Sequence, residues 1–88
     1  VSTTTTVRVA VRYFAAARAA AGTESEELTV PTGTTVQALV DELASRSPEL
    51  NRVLARCSYL CDGMAVRDTA KTLSNAQTLD VLPPFAGG

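Results

Sequence analysis

The spacing of apolar residues changes period along the chain, and each change marks an element. From Val7 to Arg12 valine alternates with Arg8, the small Ala10 and Arg12, a period of two. That pattern predicts a strand over residues 7–13 with Val7, Val9 and Val11 on one face. After Phe14 comes Ala15-Ala16-Ala17-Arg18-Ala19-Ala20-Ala21, a run of strong helix formers. Gly22 closes it, a residue that accepts the left-handed conformation at a helix end. A helix this short has to lean on the rest of the domain. Residues 26–30 read as a second strand, stopped by Pro31, and Thr32-Gly33 turns the chain.

Period two then gives way to a helical period. Val36, Leu39, Val40, Leu43 and Ala44 fall at i, i+3, i+4, i+7 and i+8, one apolar stripe, while Asp41, Glu42, Ser45 and Arg46 lie off it. Thr34 and Gln37, three apart, predict a capping box at the entry. Burying the larger side chains of the stripe contributes roughly 1.5–3 kcal/mol each. Ser47-Pro48 supplies an N-cap and first-turn proline for a short helix through residues 53–54. Ser58-Tyr59-Leu60-Cys61 and Ala65-Val66 flank Asp62-Gly63, a strong hairpin signal. Residues 67–75 form a polar connection anchored by Leu73. Residues 78–82 are the last strand, ended by Pro83-Pro84.

Strands on both sides of one main helix predict an α+β fold, a mixed sheet of about five strands with that helix across one face. A β-grasp arrangement fits the order, although pattern alone leaves other small α+β topologies open. The expected division is a leader over residues 1–6, a domain over 7–82 and an extended tail over 83–88.

Composition narrows the chemistry. A chain of 88 residues makes one domain, and 45% hydrophobic with 19% charged residues is a globular balance. The net charge of −1 is spread without a basic stripe or aromatic platform, so nucleic acid is not an expected partner. No apolar run approaches the roughly 20 residues that span a bilayer. Val1-Ser2-Thr3-Thr4-Thr5-Thr6 lacks the features of a secretory signal, so the cytoplasm is the expected compartment. There is no histidine. The usual general base and commonest metal ligand is therefore missing, and a partner has to supply most of any chemistry. Cys57 and Cys61, if strand residues, would stand about 13 Å apart, too far for a disulfide. Without histidine they also fall short of a closed zinc site. They read as small apolar residues, and Lys71, the sole lysine, as a solvated loop charge.

The ending is the most informative segment. In Pro83-Pro84-Phe85-Ala86-Gly87-Gly88 the prolines stop pairing and favour an extended exit. Phe85 offers one apolar anchor. Gly87 and Gly88 have no side chains and pass where a Cβ would jam. Six residues at roughly 3.3 Å each reach about 20 Å. A glycine pair alone favours a loose end or linker; the rigid Pro-Pro-Phe before it does not, because linkers are seldom built that way. An exposed apolar patch is expected around the exit, built from Phe85 and sheet residues.

Three motifs carry a family resemblance. They are Val9-x-x-x-Tyr13-Phe14-Ala15-x-x-Arg18-x-x-x-Gly22, Gly33-Thr34-Thr35-Val36 and Leu82-Pro83-Pro84-Phe85-Ala86-Gly87-Gly88. In order and spacing they resemble the MoaD family, the small subunits of molybdopterin synthase. ThiS-type and ubiquitin-like carriers share the Gly-Gly ending. The alternatives are therefore a sulfur carrier of another pathway (thiamine thiazole, cysteine or tRNA thiolation) or a protein modifier attached to lysines through Gly88. The Pro-Pro before the glycines points to molybdopterin synthase. The resemblance implies a ubiquitin-like β-grasp fold and a sulfur carrier whose Gly88 holds a thiocarboxylate. It implies a MoaE-like large subunit in a heterotetramer, with Pro83, Pro84, Phe85, Ala86 and Gly87 as the segment that enters it. A MoeB-type adenylating enzyme using ATP, and a sulfur donor protein, complete the implied set. No bound cofactor or metal is implied. The product is the dithiolene built on cyclic pyranopterin monophosphate for the molybdenum cofactor. Family members often carry Gly-Asp before the last strand and Asn-Gly in the hairpin. Here those places hold Ser74-Asn75-Ala76-Gln77 and Asp62-Gly63.

Overall fold

A computed structural model describes residues 5–84. In chain order the elements are β1 (Thr6–Tyr13), α1 (Ala15–Ala21), β2 (Ser25–Pro31), α2 (Val36–Ala44), α3 (Pro48–Leu54), β3 (Ser58–Cys61), β4 (Met64–Ala65) and β5 (Gln77–Leu82). The strands form one mixed sheet in the order β2-β1-β5-β3-β4. β1 and β5 run parallel at its centre, and the other pairs are antiparallel. This is the β-grasp: first and last strands side by side, with the main helix across one face. β1 takes in Thr6, one residue of the segment expected to be a leader, and the Thr5 carbonyl accepts from the Thr32 amide at 3.0 Å.

The alternation read in β1 sorts its side chains as expected. Val7, Val9, Val11 and Tyr13 are buried while Arg8 and Arg12 are exposed. Val30 of β2, Leu79 and Val81 of β5 and Cys61 of β3 continue the inward face. Against it α2 lays Val36, Leu39, Val40 and Leu43, all buried, with Ala44 at the margin. Removing these side chains from water is the main driving force for the fold. α1 and α3 complete the helical layer through Ala17, Leu50 and Leu54, and the Gly22 αL cap stands at φ 77°.

The entry to α2 differs from the capping box. Thr35, not Thr34, is the N-cap, and its hydroxyl accepts from the Ala38 amide at 3.1 Å. The Thr34 hydroxyl instead donates to the Pro31 carbonyl at 2.6 Å, which closes the preceding turn. Gln37 therefore sits one position too early for the box, and its side chain donates to Asp41 at 2.8 Å. Two first-turn amides find carbonyls in the expected polar connection: Val36 donates to Lys71 and Gln37 to Thr69. Leu73 anchors that loop in the core.

The hairpin forms at Asp62-Gly63, both with positive φ (50° and 81°), as a two-residue type I′ turn requires. The Asp62 carboxylate also accepts from the Thr78 amide at 2.9 Å, tying the turn to β5. Cys57 does not belong to a strand. It follows α3, so the spacing argument built on one strand from Cys57 to Cys61 does not apply; both thiols are nevertheless free.

Candidate functional site

β5 is the mount for the tail. It lies between β1 and β3, with Val81 opposite both Tyr13 and Tyr59 and Leu82 opposite Ser58. The Phe14 amide adds a bond to the Val81 carbonyl at 3.2 Å. Pairing then stops at Pro83, which lacks an N–H. Pro83 is buried and Pro84 exposed, so the chain leaves the body between them. Phe85, Ala86, Gly87 and Gly88 lie outside the described residues.

Two surfaces meet at this exit. On the open face of the sheet, alternation turns Arg12, Asp80, Leu60 and Leu82 away from the core. Arg12 stacks over the Phe14 ring at 5.2 Å, and its Nε stands 2.9 Å from Asp80 Oδ1. That distance pairs the charges, yet the N–H is not aimed at the oxygen, which is buried without a hydrogen bond. Phe14, Leu60 and Leu82 are half-buried. The apolar surface beside the exit is thus a mosaic around an ion pair. Met64, the large apolar residue that is mostly exposed (71%) among the described residues, sits at the opposite end of the sheet. On the helical side an open trough of about 500 Å³ runs between Ala16, the end of α3 with Arg52, Val53, Ala55 and Arg56, and the two prolines.

The thiols contribute no nucleophile. Burial pushes Cys57 up to about 11 and also raises Cys61. Cys57 Sγ lies 3.1 Å from the Val53 carbonyl and donates to it. Reactive cysteines have lowered values and electropositive surroundings. Among the described residues no group of three or more His, Cys, Asp or Glu stands ready to hold a metal, and no helix is long and apolar enough to cross a membrane. One cluster was not legible in the sequence. The buried Tyr13 hydroxyl donates to Glu26 Oε2 at 2.8 Å, and Arg46 Nη1 reaches both oxygens of that carboxylate. Burial and the bond to Glu26 push the Tyr13 phenol far above its usual range. The cluster clamps β1, β2 and the chain after α2 together. Its members are 13 and 20 residues apart, beyond the reach of local spacing.

The model of the ThiS family matches residues 11–88. The chain belongs to the ThiS family. This MoaD/ThiS-type chain is 31% identical over 85 residues to the molybdopterin synthase sulfur carrier subunit of Arabidopsis thaliana, covering 97% of the chain and 88% of that protein. Its fold superposes on the Haloferax volcanii HVO 2177 protein with a TM-score of 0.82 at 27% identity, over 94% of the chain and 88% of the other. The small archaeal modifier protein 1 of Methanosarcina acetivorans follows at TM-score 0.74 and 25% identity, over 96% and 99%. The family match runs through the Pro-Pro-Phe-Ala-Gly-Gly ending as well as the body.

Proposed function

We propose that this chain is the sulfur carrier subunit of a molybdopterin synthase, with the carboxylate of Gly88 as the group that carries sulfur. The observation that supports this most is the Leu82-Pro83-Pro84-Phe85-Ala86-Gly87-Gly88 ending, mounted on the central strand of a ThiS-family β-grasp. Likeness to a protein named as a synthase sulfur carrier subunit favours that pathway. A free α-carboxylate ionises near pH 3.3–3.7 and is a poor electrophile at neutral pH. In this reading a MoeB-type enzyme joins it to AMP: a Gly88 oxygen attacks the α-phosphorus of ATP and pyrophosphate leaves. A donor protein then delivers sulfur at the hydrosulfide level to the carbonyl carbon, and AMP departs with the former carboxylate oxygen. The resulting thiocarboxylate is itself a nucleophile. It needs no base from a chain that has no histidine and whose thiols are held protonated.

Pro83, Pro84, Phe85, Ala86 and Gly87 thread this group into a MoaE-like large subunit, where cyclic pyranopterin monophosphate accepts the sulfur. Two loaded carriers serve each dithiolene. The cytoplasm, where the ATP-using partner works, is the compartment in this reading, and the chain itself binds no cofactor. The open sheet face beside the exit, with Phe14, Leu60, Leu82 and the Arg12–Asp80 pair, provides the docking surface.

Single-turnover delivery tests the proposal. Sulfur-loaded chain, large subunit and the pyranopterin are expected to yield dithiolene in proportion to carrier consumed. A chain shortened to Gly87 is expected to yield none, and unimpaired product from the shortened chain would overturn the reading. Similarity to a small archaeal modifier protein supports a second reading, attachment to lysines through Gly88. High-mass conjugates in cells that vanish on deleting Gly88 would favour it over sulfur delivery.

A further inference from the structure

The trough beside the tail root is built from three separate segments, and its chemistry is mixed in a specific way. Its floor is small and apolar: Ala16, Val53, Ala55 and the buried Pro83. Its rim carries Arg52 and Arg56. Arg8, Arg12 and Arg46 each pair with an acidic side chain, whereas among the described residues Arg52 and Arg56 pair with none. Guanidinium is weakly hydrated and presents a planar fork matched to carboxylates. Two such groups at the edge of an apolar floor fit an acidic protein segment that also offers a small apolar side chain.

Position says where that segment comes from. Pro84 forms one wall of the trough, and four residues follow it. At roughly 3.3 Å per residue Gly88 lies within about 13 Å of that wall. A protein that encloses the last glycine therefore comes within reach of the trough. We propose that the trough docks an acidic surface segment of the protein that encloses the tail, as a second anchor on the helical side of the exit. This rests on the carrier reading above, which concerns the glycine and the open sheet face and assigns nothing to α1 or α3.

The test is calorimetric titration of the full-length chain into a MoaE-like large subunit at about 50 mM and about 300 mM salt, conditions that bracket strong and weak screening. Arg52→Gln/Arg56→Gln is expected to weaken binding about tenfold at low salt, with the deficit shrinking at high salt. Ala16→Phe fills the floor and is expected to weaken binding at both. Lys71→Gln, in the loop against the start of α2 and away from the exit, is expected to change nothing. Thermal melts establish that each variant is folded; should Ala16→Phe fail to fold, the arginine pair decides. Native affinity in both trough variants overturns the proposal and leaves the carrier reading intact. Failure of the native chain to bind overturns the carrier reading and the trough together. A native dimer that Ala16→Phe dissociates, or inorganic phosphate binding at the arginines with large-subunit affinity unaltered, also overturns it, assigning the trough to a second copy or a small anion.

Discussion

Ala76 holds φ at 66° just before β5, and its amide donates to the Arg8 carbonyl at 2.8 Å. A left-handed conformation costs an L-residue about 1–2 kcal/mol, and glycine avoids it at an unfolded-state entropy cost of about 0.4–1 kcal/mol. Family members often place glycine in this stretch, so the departure seen in the sequence has a physical consequence. Ala76→Gly is expected to stabilise the chain by about 0.5–1 kcal/mol and raise the melting temperature by a few degrees; an unchanged or lower melt would contradict the strain. Cys57 gives a second residue-level test. Burial lifts its thiol to about 11, and burial lifts the Tyr59 phenol to about 12. In the unfolded chain a thiol ionises near 8.5 and a phenol near 10. The unfolded state therefore sheds these protons first, so stability is full below about pH 8.5 and falls as pH rises toward 11 and 12. Urea midpoints measured from pH 7 to 11 should decline in that window, and Cys57→Ala should make its lower half shallower, with Cys61 keeping the remainder. A flat native profile would show that the thiol is not held protonated.

At the scale of elements, what the sequence discloses depends on how local the signal is. The stripe of α2, the Ser47-Pro48 start of α3, the Gly22 cap and the Asp62-Gly63 turn are each set by residues within a turn of one another, and all appear where spacing places them. The α2 cap was misplaced by one residue because Thr34 and Thr35 are chemically alike. Tertiary context separates them: Pro31 takes the first hydroxyl, and Thr35 bridges to Thr72 across the loop. Thr35→Ala is expected to cost about 1 kcal/mol through the lost bond to Ala38, and Thr34→Ala less. A larger loss at Thr34 than at Thr35 in chemical denaturation would restore Thr34 as the cap. Leu43, fully buried where α2 meets the sheet, is expected to cost about 2–5 kcal/mol when cut to alanine; a loss under about 1 kcal/mol would mean that α2 does not pack as described. Cys57 lies just outside such a signal. The strand expected from Ser58 begins there, but α3 runs to Leu54 and the chain is still turning at Cys57, so strand spacing does not reach it.

The whole molecule divides into a body whose plan is readable and surfaces that are not. β-grasp order follows from the element sequence and the family motifs together. The trough, the Arg12–Asp80 pair and the Tyr13–Glu26–Arg46 cluster depend on residues brought together from distant segments, and no periodicity announces them. What links body to function is direction. The central parallel pair points β5, and so Pro83-Pro84, out of one end of the sheet, between its open face and the trough that carries Arg52 and Arg56. In this account the body presents the last glycine, and the chemistry belongs to its carboxylate. Intact-mass spectrometry of the chain after incubation with a MoeB-type enzyme, ATP and a sulfur source examines that claim most directly. The expected result is replacement of one oxygen by sulfur, located by fragmentation at Gly88 and absent when ATP is withheld. An unaltered mass under conditions that load a known carrier, or sulfur found instead on Cys57 or Cys61, would contradict it.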